Sequence, residues 1–142
     1  MIVEFREEFS LPVEDLYAYF QSPADWVRLY GIAGKVKDCG DGWYAIPLHG
    51  FPFSLVARNT EQVPNELVRW VFRGFWRGSG EVRFSPIATG TRVEGSEEIS
   101  VRWLSFFSPI VERLLLRRQF ERIWALGWRR LRKRAGIPAP VA

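Results

Sequence analysis

The chain closes in an arginine-studded amphipathic stretch from Pro109 to Arg134, and the sequence before it alternates apolar and polar residues almost without a break. That order narrows the folds available. Alternation with period two builds a half-buried sheet, whereas a period of 3.6 builds a helix with one apolar stripe. A curved antiparallel sheet must have its concave face covered, and one long helix laid across it can do so. Whatever space is left between the two becomes a pocket.

A chain of 142 residues is long enough for one domain with a real core and too short for two ordinary ones. Residues 1–136 are read as that domain and 137–142, with Pro138 and Pro140, as a short frayed tail. Seven Trp and eleven Phe supply rigid apolar area of the kind that suits a core, a greasy cavity or an interface. Cys39 and His49 are each the sole residue of their kind, which excludes an intramolecular disulfide and leaves no Cys-based or His-pair metal motif. No cofactor or metal is therefore expected. The start, Met1-Ile2-Val3-Glu4-Phe5, has neither the charged opening nor the apolar run of a signal peptide, and no stretch reaches the ~20 apolar residues of a membrane span. A reduced, soluble, cytoplasmic protein is expected. The net charge of +4 is local, because Arg113 to Arg134 hold nine basic residues against Glu121 alone.

The alternation predicts seven strands. Ile2 to Ser10 is the first, followed by short helices from Pro12 to Gln21 and from Ser22-Pro23 to Tyr30. Next come Ala33 to Cys39 and Trp43 to Leu48, flanking the tight-turn signal Gly40-Asp41-Gly42. Phe51 to Gln62, Glu66 to Arg77, Glu81 to Ser85 and Thr91 to Trp103 complete the set. Pro64-Asn65, Gly78-Ser79-Gly80 and Thr89-Gly90 mark the intervening breaks. Short turns imply antiparallel pairing.

Three segments carry a resemblance. Phe9-Ser10-Leu11-Pro12-Val13-Glu14-Asp15-Leu16-Tyr17, Ser22-Pro23-Ala24-Asp25-Trp26, and Gly80 to Pro86 followed by Thr89-Gly90-Thr91-Arg92-Val93 are similar to motifs of the START-like (SRPBCC) superfamily. That superfamily includes polyketide cyclase/dehydratase-like proteins, coenzyme-Q-binding START-like proteins and the birch-pollen-allergen class. The likeness covers about residues 3 to 134. It implies an α+β helix-grip fold in which the first and last strands are neighbours. The matching residues are turn and core signatures, and members of the superfamily range from lipid carriers to cyclases, so the resemblance specifies fold better than chemistry.

Alternation also sorts the faces. Val68, Trp70, Phe72, Gly74 and Trp76 share one face, with Arg69, Arg73 and Arg77 on the other. Val82 and Phe84 face in on the next strand, and Phe51, Phe53, Leu55 and Ala57 form another apolar face. Two carboxylates break the pattern: Glu7 shares a face with Val3, Phe5 and Phe9, and Glu97 with Val93, Ile99 and Val101. A carboxylate in an apolar interior must be paired, hydrated or protonated. With the first and last strands adjacent, the two can approach each other; alternatively, a β-bulge or a place at the sheet end returns one to solvent. On the helix, Leu116, Phe120, Ile123, Trp124, Gly127, Trp128 and Leu131 form the apolar stripe. Arg113 lies within that stripe and Arg117 on its edge, so these two are the arginines placed to meet Glu7, Glu97 or an acidic ligand, unless their long stems carry the charge to water.

The expected function is the binding or transport of a lipid, quinone, polyketide or aromatic metabolite between sheet and helix. The expected contacts are Glu7, Tyr30, Phe53, Leu55, Trp70, Phe72, Trp76, Phe84, Glu97, Arg113, Arg117, Phe120 and Trp124. A cyclase or dehydratase using a cavity acid or base is the alternative, with Glu7, Glu97, His49 and Tyr30 as candidates but no triad or cofactor motif behind them. A third reading has the basic helix touching anionic membrane, RNA or a ribosome. The apolar cluster Trp103, Leu104, Phe106 and Phe107 with the helix start can serve as pocket mouth, homodimer contact or membrane patch.

Overall fold

Alternation broken only by Ile2 and Glu7 makes Ile2–Phe9 a strand, β1, and Pro12 follows its end. The computed structural model describes residues 2–25, 35–48, 53–101 and 109–134, with side chains for all of these except 101, 109–116, 133 and 134. Tyr30, His49, the 103–107 cluster and the 137–142 tail lie outside the described residues, as does the side chain of Arg113. After β1 come α1 (Val13–Tyr17), a 3-10 turn (Pro23–Asp25), β2 (Lys37–Gly40), β3 (Trp43–Ile46), β4 (Leu55–Val63), β5 (Leu67–Arg73), β6 (Trp76–Ile87), β7 (Gly90–Val101) and α2 (Pro109–Arg134). The strands form one seven-stranded sheet in the order β1-β7-β6-β5-β4-β3-β2, antiparallel throughout. The first and last strands are neighbours, and the architecture is the α+β helix grip.

The turns follow local chemistry. Asp41 at φ 54° between Gly40 and Gly42 closes the β2–β3 hairpin, and Asn65 at φ 64° turns β4 into β5; both are residue types that tolerate the left-handed region. Ser22 Oγ accepts the Ala24 N–H at 3.2 Å and so caps the 3-10 turn begun by Pro23. Two long-range bonds tie this opening segment to the sheet: Thr91 Oγ1 donates to the Leu11 carbonyl at 2.8 Å, and Asn59 Nδ2 donates to the Gln21 carbonyl at 3.0 Å.

One break differs from expectation. The chain turns at Gly74-Phe75, with Gly74 at φ 91°, and runs through Gly78-Ser79-Gly80 as the middle of β6. The hairpin register explains why the pattern conceals this turn. Phe72 faces Gly78 and Trp70 faces Gly80, so even-numbered residues point inward on both sides of the turn. Trp70, Phe72 and Trp76 are therefore all buried, although they sit on two strands instead of one.

The concave face is aromatic and aliphatic, and α2 lays Phe120, Ile123, Trp124, Trp128 and Leu131 across it, each no more than 6 % exposed. Each such side chain contributes about 1.5–3 kcal/mol when fully buried. Gly127 is buried on the same stripe. At one end α1 and the turn after it close the core, with Tyr17 and Phe20 edge-on to Phe84 at 5.8 and 5.5 Å.

Candidate functional site

The register of three strand pairs places Val3, Glu97, Gly80 and Trp70 in one row across β1, β7, β6 and β5. Gly80 is the residue that makes this row work. A Cβ there would lie 2.5–2.6 Å from three atoms of the Trp70 indole, so the ring lies across the glycine toward Glu97. From the opposite side α2 brings Trp124, whose indole N–H donates to Glu97 Oε2 at 3.1 Å. Trp124 is itself held by Phe5, stacked at 4.3 Å, and by Trp128 at 5.2 Å.

Glu97 is 2 % exposed. Burial disfavours its charged form and pushes its pKa from 4.5 up to about 7, against the downward pull of the Trp124 hydrogen bond and of the Trp70 indole nearby. Near neutral pH the carboxyl therefore exchanges a proton while remaining inside an aromatic interior. The Trp124 indole N–H stabilises the anion without supplying a countercharge, and the balance between proton and anion stays close.

Glu7 is on the same face but elsewhere. It pairs across the ladder with Val93, whereas Glu97 pairs with Val3. Four residues of strand, about 13 Å, separate the two positions. The two carboxylates therefore do not form a couple, and no bulge between β1 and β7 turns either of them out. The ligand of Glu7 is Arg132, whose guanidinium donates to Glu7 Oε2 and, at 3.3 Å, to the Glu8 carbonyl, and lies 4.6 Å over the Phe9 ring. Arg117, expected to fill that role, is exposed to solvent with Arg118, Arg122 and Arg129. Arg132 was detectable in principle, since Phe120, Trp124, Trp128 and Arg132 follow one another at i, i+4. The stripe simply continues one step past the last apolar residue.

The remaining expected contacts are mostly packed on one another. Trp76 meets Phe120 edge-on at 5.3 Å and donates its indole N–H to the Phe53 carbonyl at 3.3 Å. Leu55, Phe72 and Phe84 are buried, at 2, 6 and 5 % exposure. Phe53 departs from the inward set: it precedes β4, is 48 % exposed and stacks on Phe75 at 4.1 Å. A groove of about 310 Å³ between β1 and α2 is bordered by Phe5, Glu7, Trp124 and Trp128. A polar depression of about 730 Å³ lies on the other side of the molecule, bordered by Ser22, Asp41, Trp43, Arg58 and Gln62, none of which stood among the expected contacts. Among the described residues no three His, Cys, Asp or Glu side chains converge as a metal site, and no helix is long and apolar enough to cross a membrane.

No protein-family model matches the chain, and no curated protein sequence matches it. Solved structures do resemble it. A protein of unknown function from Staphylococcus aureus superposes with a TM-score of 0.66 at 13% identity, covering 96% of each chain. A Rhodobacter sphaeroides protein gives 0.65 at 14% identity, over 95% of this chain and 91% of that one. The Aha1 dimer from Colwellia psychrerythraea, solved in solution, gives 0.62 at 11% identity, over 87% and 90%. At such identities the likeness is one of fold: an antiparallel sheet gripping a long helix.

Proposed function

We propose that this chain is a START-like helix-grip protein that binds an amphipathic small molecule between the sheet and α2, with Glu97 as the polar contact. The observation that carries the reading is the Glu97 carboxyl enclosed by Trp70 and Trp124 on the concave face, four strand residues from the Glu7–Arg132 pair. Titratable groups displaced by burial concentrate at functional sites, and small-molecule sites combine apolar walls with a few convergent polar groups. The apolar body of a lipid, quinone, polyketide or aromatic metabolite would lie in the groove between β1 and α2, along Phe5, Trp124 and Trp128, and its polar end would exchange a hydrogen bond with the carboxyl.

The test begins with natively purified protein, extracted under denaturing conditions for mass spectrometry of co-purifying molecules. Titration with a fluorescent fatty-acid analogue and a quinone follows, read by tryptophan quenching. Uptake at micromolar concentration is expected, weakened about tenfold or more in Glu97→Gln if the carboxyl takes part in a charge-assisted hydrogen bond. The absence of both co-purification and uptake would overturn the reading. A second reading, proton-transfer catalysis of the cyclase or dehydratase type, draws on the displaced pKa of the same carboxyl. It requires an activity that Glu97→Gln abolishes while ligand uptake survives.

A further inference from the structure

The seven arginines on described strands divide into two groups. Arg6 pairs with Glu94 at 3.9 Å, Arg69 with Glu61 and Glu81 at 2.8 and 3.0 Å, Arg83 with Glu81 at 3.5 Å, and Arg92 with Glu8 at 3.0 Å. Arg58, Arg73 and Arg77 are exposed and have no carboxylate partner among the described residues. These three are also neighbours. Arg58 pairs across the ladder with Val71 and Arg73 with Val56, while Phe72 opposite Gly78 brings Arg73 beside Arg77. The Trp43 ring gathers two of them, with the Arg73 guanidinium 4.2 Å and the Arg58 guanidinium 5.6 Å from its centre. They alternate with the buried Ala57, Phe72 and Trp76, so they point away from the helix. Like charges side by side on a sheet repel, and an external anion relieves that repulsion.

The same corner exposes apolar surface. Phe53 and Ile2 are the large hydrophobic side chains exposed among the described residues. Phe53 stacks on Phe75, which lies between Arg73 and Arg77 in the chain at the hairpin tip. Aromatic rings settle at the headgroup level of a bilayer, and arginines beside them are drawn to anionic lipid. We infer that the outer face of β4–β6 docks on an anionic membrane surface, with Arg58, Arg73 and Arg77 at the phosphates and the Phe53–Phe75 pair in the interface. Single-stranded RNA fits less well. Base stacking needs a free ring face, while Trp43 is half-buried under arginine and the exposed Phe53 ring is already stacked on the half-buried Phe75. This surface is separate from the basic side of α2, and the inference does not rest on the small-molecule reading.

The experiment is co-sedimentation of the full chain with vesicles of phosphatidylcholine alone, or of equal parts phosphatidylcholine and phosphatidylglycerol. Binding is expected to the anionic vesicles only and to fall as salt is raised. Arg73→Gln weakens it about fivefold and Arg73→Gln with Arg77→Gln about thirtyfold, from the contribution of single basic residues near a charged bilayer. Phe53→Ser also weakens it, and Arg83→Gln, altering a paired arginine, leaves it unchanged. Unfolding curves confirm that each variant folds. Three outcomes overturn the inference: no binding, equal binding to neutral vesicles, or binding that responds to Arg118→Gln and Arg122→Gln on α2 but not to Arg73 and Arg77. Uptake of a single-stranded oligoribonucleotide through these arginines, without vesicle binding, likewise replaces membrane with RNA.

Discussion

Glu7 and Glu97 stand on the same concave face of two hydrogen-bonded strands, and their surroundings resolve the cost of a buried carboxyl in different ways. At the Glu7 end, α2 offers a guanidinium, and Arg132 and Glu7 form an ion pair with side-chain exposures of 9 and 29 %. Around Glu97, α2 offers an indole, which donates a hydrogen bond but carries no charge. There a proton does what Arg132 does for Glu7, and the pKa rises to about 7. One helix thus closes a partly wet ion pair at one place and a dry, titratable carboxyl at another. The second arrangement is the one stability alone does not explain.

Replacing the indole that separates the two regimes has the largest expected effect. Trp124→Ala removes a buried aromatic, the Phe5 stack and the Glu97 donor together, and costs about 3–5 kcal/mol in chemical denaturation. A loss below about 1 kcal/mol would mean that α2 does not pack here as described.

Glu97→Gln sharpens the contrast through pH. The folded carboxyl holds its proton up to about pH 7, whereas the unfolded one releases it near 4.5. The stabilisation from this group is thus fully present below pH 4.5 and is lost as pH rises through 7. A displacement from 4.5 to about 7 is worth about 3 kcal/mol. Stability of Glu97→Gln relative to the parent should therefore improve by about that amount between pH 4.5 and pH 8. A pH-independent difference would place Glu97 in water.

Arg132→Ala breaks the other regime. Complete burial of such a pair would make the loss 3–5 kcal/mol, but Glu7 is partly exposed, so about 2 kcal/mol is expected from thermal unfolding. Arg117→Ala, on the solvent side of the same helix, should stay within about 0.5 kcal/mol. An Arg117 effect as large as that of Arg132 would show that the helix is rotated about its axis.

The pattern of alternation carried the number of strands, the inward set of Trp70, Phe72, Trp76 and Phe84, and the placing of Glu97 among apolar neighbours. It failed where two alternations are in phase. A turn at Gly74-Phe75 leaves the inward parity unchanged, so the glycines at 78 and 80 looked like the break, when Gly80 is the room that Trp70 occupies and Gly78 lies against the β7 backbone. The distance between Glu7 and Glu97 depends on ladder register, which face-sorting within one strand does not contain. Arg132 was passed over because a charged residue closes an apolar stripe, yet its chemistry is what places it there: one turn beyond Trp128 it meets the face of Phe9 and the carboxylate of Glu7.

The account turns on the state of a single side chain. Carbon-13 labelling of the glutamate carboxyls, with Glu97→Gln assigning the resonance by its disappearance, lets that state be followed from pH 3 to pH 9 by NMR. A Glu97 midpoint close to 7 is the predicted result. A midpoint near 4.5 would contradict it, because a carboxyl that titrates as it does in water is not enclosed between Trp70 and Trp124.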